Sequence, residues 1–163
     1  MLESKIYNDR IQILVMDVDG TLTDGKIYIG EHGEVFKAFN IKDGYAIHDI
    51  LPKYNILPVI ITGRISRIVE NRAKELGITY IYQGINDKLS VLVDILHERN
   101  LSMSNVAFIG DDINDLECMK NCGIKGCPAD AVLEIKAVAD FISSKNGGDG
   151  AVREFIEIII DSR

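Results

Sequence analysis

The 163-residue chain lacks most of the features that mark secreted, membrane-spanning or linker-rich proteins. Its three prolines are isolated, and there is no low-complexity tract and no internal repeat. Met1 leads into the mixed polar stretch LESKIYNDR rather than into the long apolar run of a signal peptide or a membrane span. We therefore expect a cytoplasmic protein without a membrane partner.

Cysteine is also scarce, and its placement argues against a structural role for sulfur. The three cysteines, Cys118, Cys122 and Cys127, are odd in number, crowd one short stretch and show no CxxC spacing. A disulfide framework or a zinc site is therefore not expected. Free thiols are typical of a reducing cytosol.

Positive charge is in deficit, since 18 lysines and arginines stand against 25 acidic residues and give a formal net charge of -7. A net acidic surface does not attract nucleic acid or anionic membranes, so neither is an expected partner. A small anionic substrate must then find a local cationic pocket. The length and the hydrophobic fraction of 47% predict one globular domain over residues 1–163.

Short apolar runs alternate with amphipathic stretches along the chain, and this pattern predicts an α/β fold with a doubly wound (Rossmann-like) parallel sheet. The predicted strands are IQILVMD, ILPVIIT, ITYIYQG, NVAFIG and ADFIS. Helices are predicted at about 66–76, 88–100, 112–121, 131–138 and 150–160. KIYIG and EVFKAF around EHG predict a β-hairpin insertion after the first strand, at about 26–39. No cap domain is expected.

The residues that close these runs are the candidates for chemistry, because ligands of doubly wound sheets bind beyond the carboxyl ends of the strands. Asp17 and Asp19 close the first run, and side chains two apart in an extended backbone face the same way. Two adjacent carboxylates need a cation, and Mg²⁺ is a hard ion that suits carboxylate oxygens. A second acidic cluster, Asp111, Asp112 and Asp115, follows NVAFIG. Its alternative interpretation is a helix start, where acidic residues cap free amides.

Two further positions suggest a phosphate site. Thr62, Gly63 and Arg64 close ILPVIIT, where a hydroxyl, a free amide and a helix N-terminus can hold phosphate oxygens. A threonine at this position, taken alone, is more often a helix cap than a ligand of phosphate. Lys88 begins the next predicted helix, which is an unfavourable place for a cation unless an anion faces it. An ordinary exposed lysine is the alternative.

Taken in chain order, DVDGT, the strand-ending Thr62, Lys88 and GDDxxD resemble the four motifs of the haloacid dehalogenase superfamily. Within that superfamily the chain resembles the capless sugar-acid phosphatases typified by 3-deoxy-D-manno-octulosonate 8-phosphate phosphatase, over nearly its whole length. The stretches that carry this likeness are DVDGTLTDG, FNIKDGYAI, TGRIS with Arg72, QGINDK, GDDINDL and GGDGAVREF.

The resemblance implies a Mg²⁺-dependent phosphatase of lipopolysaccharide biosynthesis that hydrolyses a sugar-acid phosphate monoester, 3-deoxy-D-manno-octulosonate 8-phosphate. Asp17 is then the nucleophile that forms an aspartyl-phosphate, and Asp19 is the general acid and base. The metal ligands would be the Asp17 side chain, the Asp19 backbone carbonyl and Asp111. Either Asp112 or Asp115 would support them from close range.

The resemblance also implies a set of substrate-binding residues. Lys88 and Thr62 would bind the phosphoryl group and neutralise the charge on its oxygens, which makes both catalytic. Arg64 is a candidate for the sugar carboxylate, with a helix-surface arginine as its alternative. The full set of predicted substrate-binding residues is Thr62, Gly63, Arg64, Arg72 and Lys88.

Capless members of this family form homotetramers, so the resemblance implies that the hairpin and the C-terminal tail of neighbouring subunits close the site. The tail here is GGDGAVRE, and the glycines at positions 147, 148 and 150 give its backbone the freedom to bend. We expect this glycine loop to act as a lid near a neighbour's site, with a plain hinge before a docking helix as the alternative.

Other functions fit the sequence less well. A nine-carbon keto-acid (nonulosonate) 9-phosphate is the alternative substrate, although Arg64 favours the eight-carbon sugar. A noncatalytic assembly domain of sialic-acid activation would be free to lose motif residues, which this chain retains. A receiver domain would place its phosphoacceptor after the third strand, and a phosphomutase would need a cap to shield the aspartyl-phosphate from water.

Overall fold

The computed structural model describes residues 10–161, in which six of the strands form one parallel sheet. The strands are β1 (Ile13–Met16), β2 (Tyr28–Gly30), β3 (Gly33–Phe36), β4 (Leu57–Ile61), β5 (Tyr80–Tyr82), β6 (Val106–Ile109), β7 (Ile124–Cys127) and β8 (Phe141–Ile142). The sheet order is β5-β4-β1-β6-β7-β8, and β2 pairs antiparallel with β3 as a separate hairpin. The predicted doubly wound sheet with a hairpin insertion is confirmed, as are all five predicted strands.

The helices that flank the sheet follow the predicted positions with one addition. They are α1 (Ile41–Tyr45), α2 (Arg67–Glu75), α3 (Lys88–Arg99), α4 (Leu116–Asn121), α5 (Leu133–Val138) and α6 (Ala151–Asp161). A π-helical turn (Ala46–Ile50) and a 3-10 turn (Leu51–Tyr54) extend α1, and further 3-10 turns span Met103–Asn105 and Ile113–Asp115. Within residues 10–161, no helix combines the length and the apolar character needed to cross a membrane.

Two elements were not predicted, and each has a physical reason. The helical segment from α1 to Tyr54 contains Gly44 and Pro52, which interrupt a helical pattern. Strand β7 contains Gly126, which weakens a strand signal. A Cβ at Gly126 would lie 2.5 Å from the ring of Phe155 in α6. The glycine is therefore needed for the packing of α6 on the sheet, although the same residue weakens the sequence pattern that would predict the strand.

The core lies on both faces of the sheet, because successive side chains of each strand point in opposite directions. Ile13 and Val15 of β1 pack on one face, with side chains of α3, α4 and α5. Leu14 and Met16 pack on the other, with side chains of α2, α6 and the turns after α1. All four are fully buried, and each such burial stabilises the fold by about 1.5–3 kcal/mol.

The topology fixes where a ligand can bind. From the central strand β1 the chain passes through the hairpin to β4 and β5 on one side, and then returns to β6 on the other. The connections above β1 thus diverge, which leaves a crevice at the carboxyl ends of β4, β1 and β6. Residues 17, 62 and 111 lie at or next to these strand ends.

The start of α6 is held by a buried carboxylate from α1. The Asp43 side chain accepts a hydrogen bond of 2.7 Å from the backbone amide of Arg153, one of the first-turn amides that have no partner within the helix. Burial raises the pKa of Asp43 to about 6 against the hydrogen bonds from the amides of Arg153 and Gly150, and the charge of Asp149 adds to the increase. Asp43 is thus both a helix cap and a titrating group.

Replacing Asp43 by Asn should change how the free energy of unfolding depends on pH. The folded protein holds the Asp43 proton more tightly than the unfolded chain, whose pKa is the ordinary 3.8. The stability that this proton contributes is therefore complete below about pH 4 and is lost as the pH rises through 6. Urea unfolding between pH 4 and 7 should show the wild type losing about 1–3 kcal/mol relative to Asp43→Asn.

The matched control is Asp94→Asn, which alters an exposed carboxylate on α3. This variant should follow the wild-type profile across the same pH range. Parallel profiles for the wild type and Asp43→Asn would contradict the assignment of this titration to Asp43.

Candidate active site

A buried lysine between two aspartates forms the centre of the site. Asp17 directly follows β1, Lys88 is the first residue of α3, and Asp115 ends the 3-10 turn after β6. The Lys88 Nζ lies 2.8 Å from Oδ1 of Asp17 and 2.7 Å from Oδ1 of Asp115. The Lys88 side chain is only 1% exposed. The interpretation of Lys88 as an exposed surface lysine is therefore wrong.

The charges in this group depend on one another. Burial by itself would lower the pKa of Lys88, but the carboxylates of Asp17 and Asp115 outweigh it and raise the pKa above its ordinary value. Burial, followed by the charge of Asp17, raises the pKa of Asp115 to about 6, and Lys88 opposes the increase. Near neutral pH the buried ammonium therefore bridges two carboxylates.

Three carboxylates meet beside this lysine. Asp17, Asp111 and Asp115 each offer an oxygen, and these oxygens lie within 4.8 Å of one another. Burial first, and then the charge of Asp17, raises the pKa of Asp111 to about 8, although a hydrogen bond of 2.9 Å from Thr21 Oγ1 opposes the shift. A cluster of hard anionic oxygens with unbalanced charge fits a divalent ion such as Mg²⁺.

The two acidic residues that the sequence left open, Asp112 and Asp115, have different surroundings. Asp115 belongs to the cluster, and its Oδ2 accepts a hydrogen bond of 3.0 Å from the amide of Asp111. Asp112 instead accepts a hydrogen bond of 2.7 Å from the amide of Ile113 and lies outside the cluster. A supporting role near a metal ion therefore fits Asp115 better than Asp112.

A glycine allows the loop after β1 to approach the second acidic cluster. Gly20 has a φ of +97°, in the left-handed region, and a Cβ there would lie 2.0 Å from Oδ2 of Asp111. The DVDGT loop needs this glycine both for its turn and for the close approach. Any larger side chain at position 20 would clash with the carboxylate of Asp111.

The glycine loop before α6 packs against this same loop within one chain. The Gly148 amide donates a hydrogen bond of 3.0 Å to the carbonyl of Thr21, and the Gly147 amide donates one of 2.9 Å to Asp130. A Cβ at Gly147 would lie 1.9 Å from the carbonyl oxygen of Gly20. Both glycines therefore pack close to the nucleophile loop of their own chain, and the lid role toward a neighbouring subunit stays a prediction.

Asp19 lies outside the carboxylate cluster and is bound by the hairpin. The Lys37 Nζ, just after β3, hydrogen-bonds Oδ1 of Asp19 and lies 2.9 Å from Oε1 of Glu34. Glu34 also accepts a hydrogen bond from the hydroxyl of Ser66, which caps α2. The hairpin is thus anchored to the site of its own chain, and closure of the site by a neighbouring subunit's hairpin stays a prediction.

Sequence reasoning missed Lys37 and Glu34 as site residues. Both lie in the alternating pattern that predicted the hairpin, and nothing in that pattern shows where the hairpin folds back. The one available signal was the position of Lys37 directly after a strand, in a chain that is short of cations.

The cleft above these groups contains most of the predicted substrate-binding residues. It has a volume of about 530 Å³ and is lined by Asp17, Asp19, Thr62, Gly63, Arg64, Asp112, Ile113 and Asn114. Thr62 follows β4 and is buried, and its amide donates a hydrogen bond of 2.9 Å to the carbonyl of Tyr82. Arg64 is 45% exposed, and its Nε lies 4.0 Å from Oδ2 of Asp19.

The structure does not bring Arg72 to this cleft. Arg72 lies on the side of α2 that faces α1, with its guanidinium 5.7 Å from the centre of the Phe39 ring and 2.9 Å from Glu75. It packs so closely on Gly44 that a Cβ there would lie 2.3 Å from Nη2 of Arg72. Substrate binding by Arg72 has no support from the contacts within this chain.

Comparison with known families agrees with this arrangement. Residues 78–156 match the family model of haloacid dehalogenase-like hydrolases. This is the class that the doubly wound sheet and the four strand-end motifs define.

Individual relatives identify the family within this class. The chain is 42% identical over 152 residues to 3-deoxy-D-manno-octulosonate 8-phosphate phosphatase KdsC of Escherichia coli (strain K12), which covers 93% of this chain and 80% of that protein. The crystal structure of the Moraxella catarrhalis phosphatase of the same name, in complex with a magnesium ion, a phosphate ion and a KDO molecule, superposes with a TM-score of 0.93. It is 40% identical in sequence, and the match covers 99% of this chain and 93% of that one.

A further solved relative is the cobalt-bound form of the Haemophilus influenzae deoxy-D-mannose-octulosonate 8-phosphate phosphatase. It has a TM-score of 0.90 and 33% identity, with 94% of this chain and 90% of that chain covered. The present chain therefore belongs to the family of 3-deoxy-D-manno-octulosonate 8-phosphate phosphatases.

Binding of Mg²⁺ should release a proton from the carboxylate cluster. The pKa of Asp111 in the metal-free protein is about 8, so this carboxyl is largely protonated at pH 7 and must ionise to act as a ligand. The affinity for Mg²⁺ should therefore rise between pH 6 and pH 8.5. Titration calorimetry in buffers of different ionisation enthalpy measures both the affinity and the protons released.

Asp111→Asn should weaken Mg²⁺ binding and abolish the proton release. Glu98→Gln, which alters an exposed carboxylate on α3, should leave both unchanged. An affinity that is independent of pH in the wild type would show that Asp111 does not titrate on metal binding.

Proposed function

We propose that this chain is a Mg²⁺-dependent phosphatase that hydrolyses 3-deoxy-D-manno-octulosonate 8-phosphate through an aspartyl-phosphate intermediate. The observation that carries the proposal is the geometry around Asp17. Its carboxylate lies at the floor of an open cleft, beside a buried ammonium group and within 4.8 Å of two further carboxylates. The named ligands of the M. catarrhalis relative, magnesium, phosphate and KDO, support the same chemistry.

In the first step, a carboxylate oxygen of Asp17 attacks phosphorus and the bond from phosphorus to the sugar oxygen breaks. Lys88 holds Asp17 in place at 2.8 Å and supplies positive charge close to the phosphoryl oxygens. Thr62 lines the same cleft and offers a hydroxyl to those oxygens. The ligands for Mg²⁺ would be the Asp17 and Asp111 side chains and the Asp19 carbonyl, and the bound ion would neutralise phosphoryl charge.

Asp19 is the residue for proton transfer. Its carboxylate is outside the metal-binding cluster and lines the cleft, so it can give a proton to the leaving sugar oxygen. In the second step it takes a proton from the water that attacks the aspartyl-phosphate. The bond from phosphorus to Asp17 then breaks, which restores the enzyme and releases phosphate.

The outer part of the cleft binds the sugar acid. Arg64 lies at its edge, and its guanidinium is exposed enough to bind the carboxylate of a keto acid. A nine-carbon keto-acid phosphate would present the same carboxylate at a greater distance from the phosphate. We place the eight-carbon sugar first because of the family to which the chain belongs.

A homotetramer in the cytoplasm is the proposed form of the enzyme. The hairpin exposes four apolar side chains, Ile27, Ile29, Val35 and Phe36. A two-stranded hairpin is marginally stable alone, and apolar side chains in contiguous segments of a surface are typical of protein interfaces. Contact between the hairpins of neighbouring subunits would bury them.

A panel of phosphate monoesters tests the proposed reaction. With Mg²⁺ present, kcat/KM should be highest for the eight-carbon keto-acid phosphate, and lower for the nine-carbon one and for phosphates of neutral sugars. Asp17→Asn should reduce kcat by at least about 10⁴, because the amide is nearly isosteric but is a poor nucleophile. A noncatalytic assembly domain would show no turnover with any ester, and a higher kcat/KM for the nine-carbon acid would change the assigned substrate.

Replacing Arg64 by Ala should affect only substrates that carry a carboxylate. For the keto-acid phosphate, KM should rise by about 10- to 100-fold, as expected for loss of a charge-assisted hydrogen bond. For a neutral sugar phosphate KM should change by less than about threefold. Arg67→Ala, which alters the next exposed arginine along the chain, is the matched control. An equal change in KM for both kinds of substrate would remove Arg64 from carboxylate recognition.

A further inference from the structure

The hairpin contributes a buried cation to the site, and the reaction as described above gives it no role. The Lys37 side chain is 1% exposed, and both groups that bind its ammonium are carboxylates, those of Asp19 and Glu34. Burial alone would lower the pKa of Lys37, but hydrogen bonds to Asp19 and Glu34 raise it above its ordinary value. Lys37 is therefore a buried ammonium group that is held by the carboxylates of Asp19 and Glu34.

The two oxygens of the Asp19 carboxylate have different neighbours. Oδ1 accepts from Lys37, whereas Oδ2 lies 4.0 Å from Nε of Arg64, a residue that lines the cleft. Holding Oδ1 fixes the rotation of the carboxylate and leaves Oδ2 on the side of the substrate. A carboxylate that transfers a proton needs this orientation, because proton transfer requires close approach of the two oxygens.

The ammonium group is itself held from a second direction. Glu34 binds Lys37 at 2.9 Å and also accepts a hydrogen bond from Ser66, the residue that caps α2 after β4. The chain of contacts therefore runs from α2 through Glu34 and Lys37 to Asp19. It connects the hairpin to the side chain that acts on the leaving group.

We propose that Lys37 is a positioning residue that holds Oδ1 of Asp19 so that Oδ2 faces the leaving oxygen of the substrate. This inference rests on the proposed function, in which Asp19 is the general acid. Lys37 takes no part in bond changes. The proton passes from Asp19 to the sugar oxygen as its bond to phosphorus breaks, and Lys37 fixes the donor while this happens.

The test compares Lys37→Met with the wild type on two esters under single-turnover conditions, so that only the first step is measured. With the sugar-acid phosphate, whose alkoxide must be protonated, the rate should fall by about 10- to 100-fold. With p-nitrophenyl phosphate, whose leaving group needs no proton, it should fall by less than about threefold. An equal loss with both esters would overturn the positioning role.

A double-mutant cycle gives a second measurement. In an Asp19→Asn background, adding Lys37→Met should cause no further loss with the sugar-acid phosphate, because the group that Lys37 positions is already gone. Additive losses would contradict the inference. Lys37→Arg retains a cation at this position and should recover part of the rate.

Controls separate this role from effects on folding and from failure of the proposed reaction. Lys26→Met alters an exposed lysine of the same insertion, paired with Asp24 at 3.2 Å, and should match the wild type. If Lys37→Met unfolds because Glu34 is left unpaired, Glu34→Gln with Lys37→Met removes that charge and should show the same dependence on leaving group. A wild-type enzyme inactive on both esters would refute the proposed function before Lys37 is tested.

Discussion

The ion pairs of one buried ammonium group set the arrangement of the site. Lys88 lies between Asp17 and Asp115, and these carboxylates come from segments that follow different strands of the sheet. Without the lysine, close carboxylates would be buried with an uncompensated charge, which costs several kcal/mol. The first turn of a helix is an unfavourable place for a cation, and the two anions offset that cost. The end of β1, the start of α3 and the turn after β6 therefore cannot move independently.

Backbone contacts provide a second constraint, in which glycines matter more than charges. Gly20 allows the nucleophile loop to approach Asp111, and Gly147 allows the loop before α6 to lie against the carbonyl of Gly20. Lys88 thus holds the Asp17 carboxylate through an ion pair, and main-chain packing holds the loop that follows Asp17. Rigidity of this kind favours catalysis, because donors and acceptors need little reorganisation when charge develops.

The parts of the site that follow buried strands could be predicted from the sequence, because strand ends in a parallel sheet meet at one edge. Asp17, Thr62 and Asp111 were predicted in this way. Lys37 could not be, because its role depends on how the hairpin folds back onto Asp19. The same holds for β7, whose Gly126 makes sense only once Phe155 packs on it. Arg72 was predicted from a motif resemblance, which gives no information about the face of α2 on which a side chain lies, and its role in substrate binding stays a prediction.

The contact between the loop at residues 147–148 and the loop at residues 20–24 joins segments far apart in the chain. Folding during synthesis is affected by this separation, because long-range contacts form late and slowly. A nascent chain that has emerged only as far as β6 already contains Asp17, Thr62 and Lys88. Its nucleophile loop still lacks the main-chain support that Gly147 and Gly148 provide. Ribosome-bound intermediates should therefore pair the strands β5, β4, β1 and β6 before they acquire a catalytically shaped loop, so that activity is one of the last properties to appear.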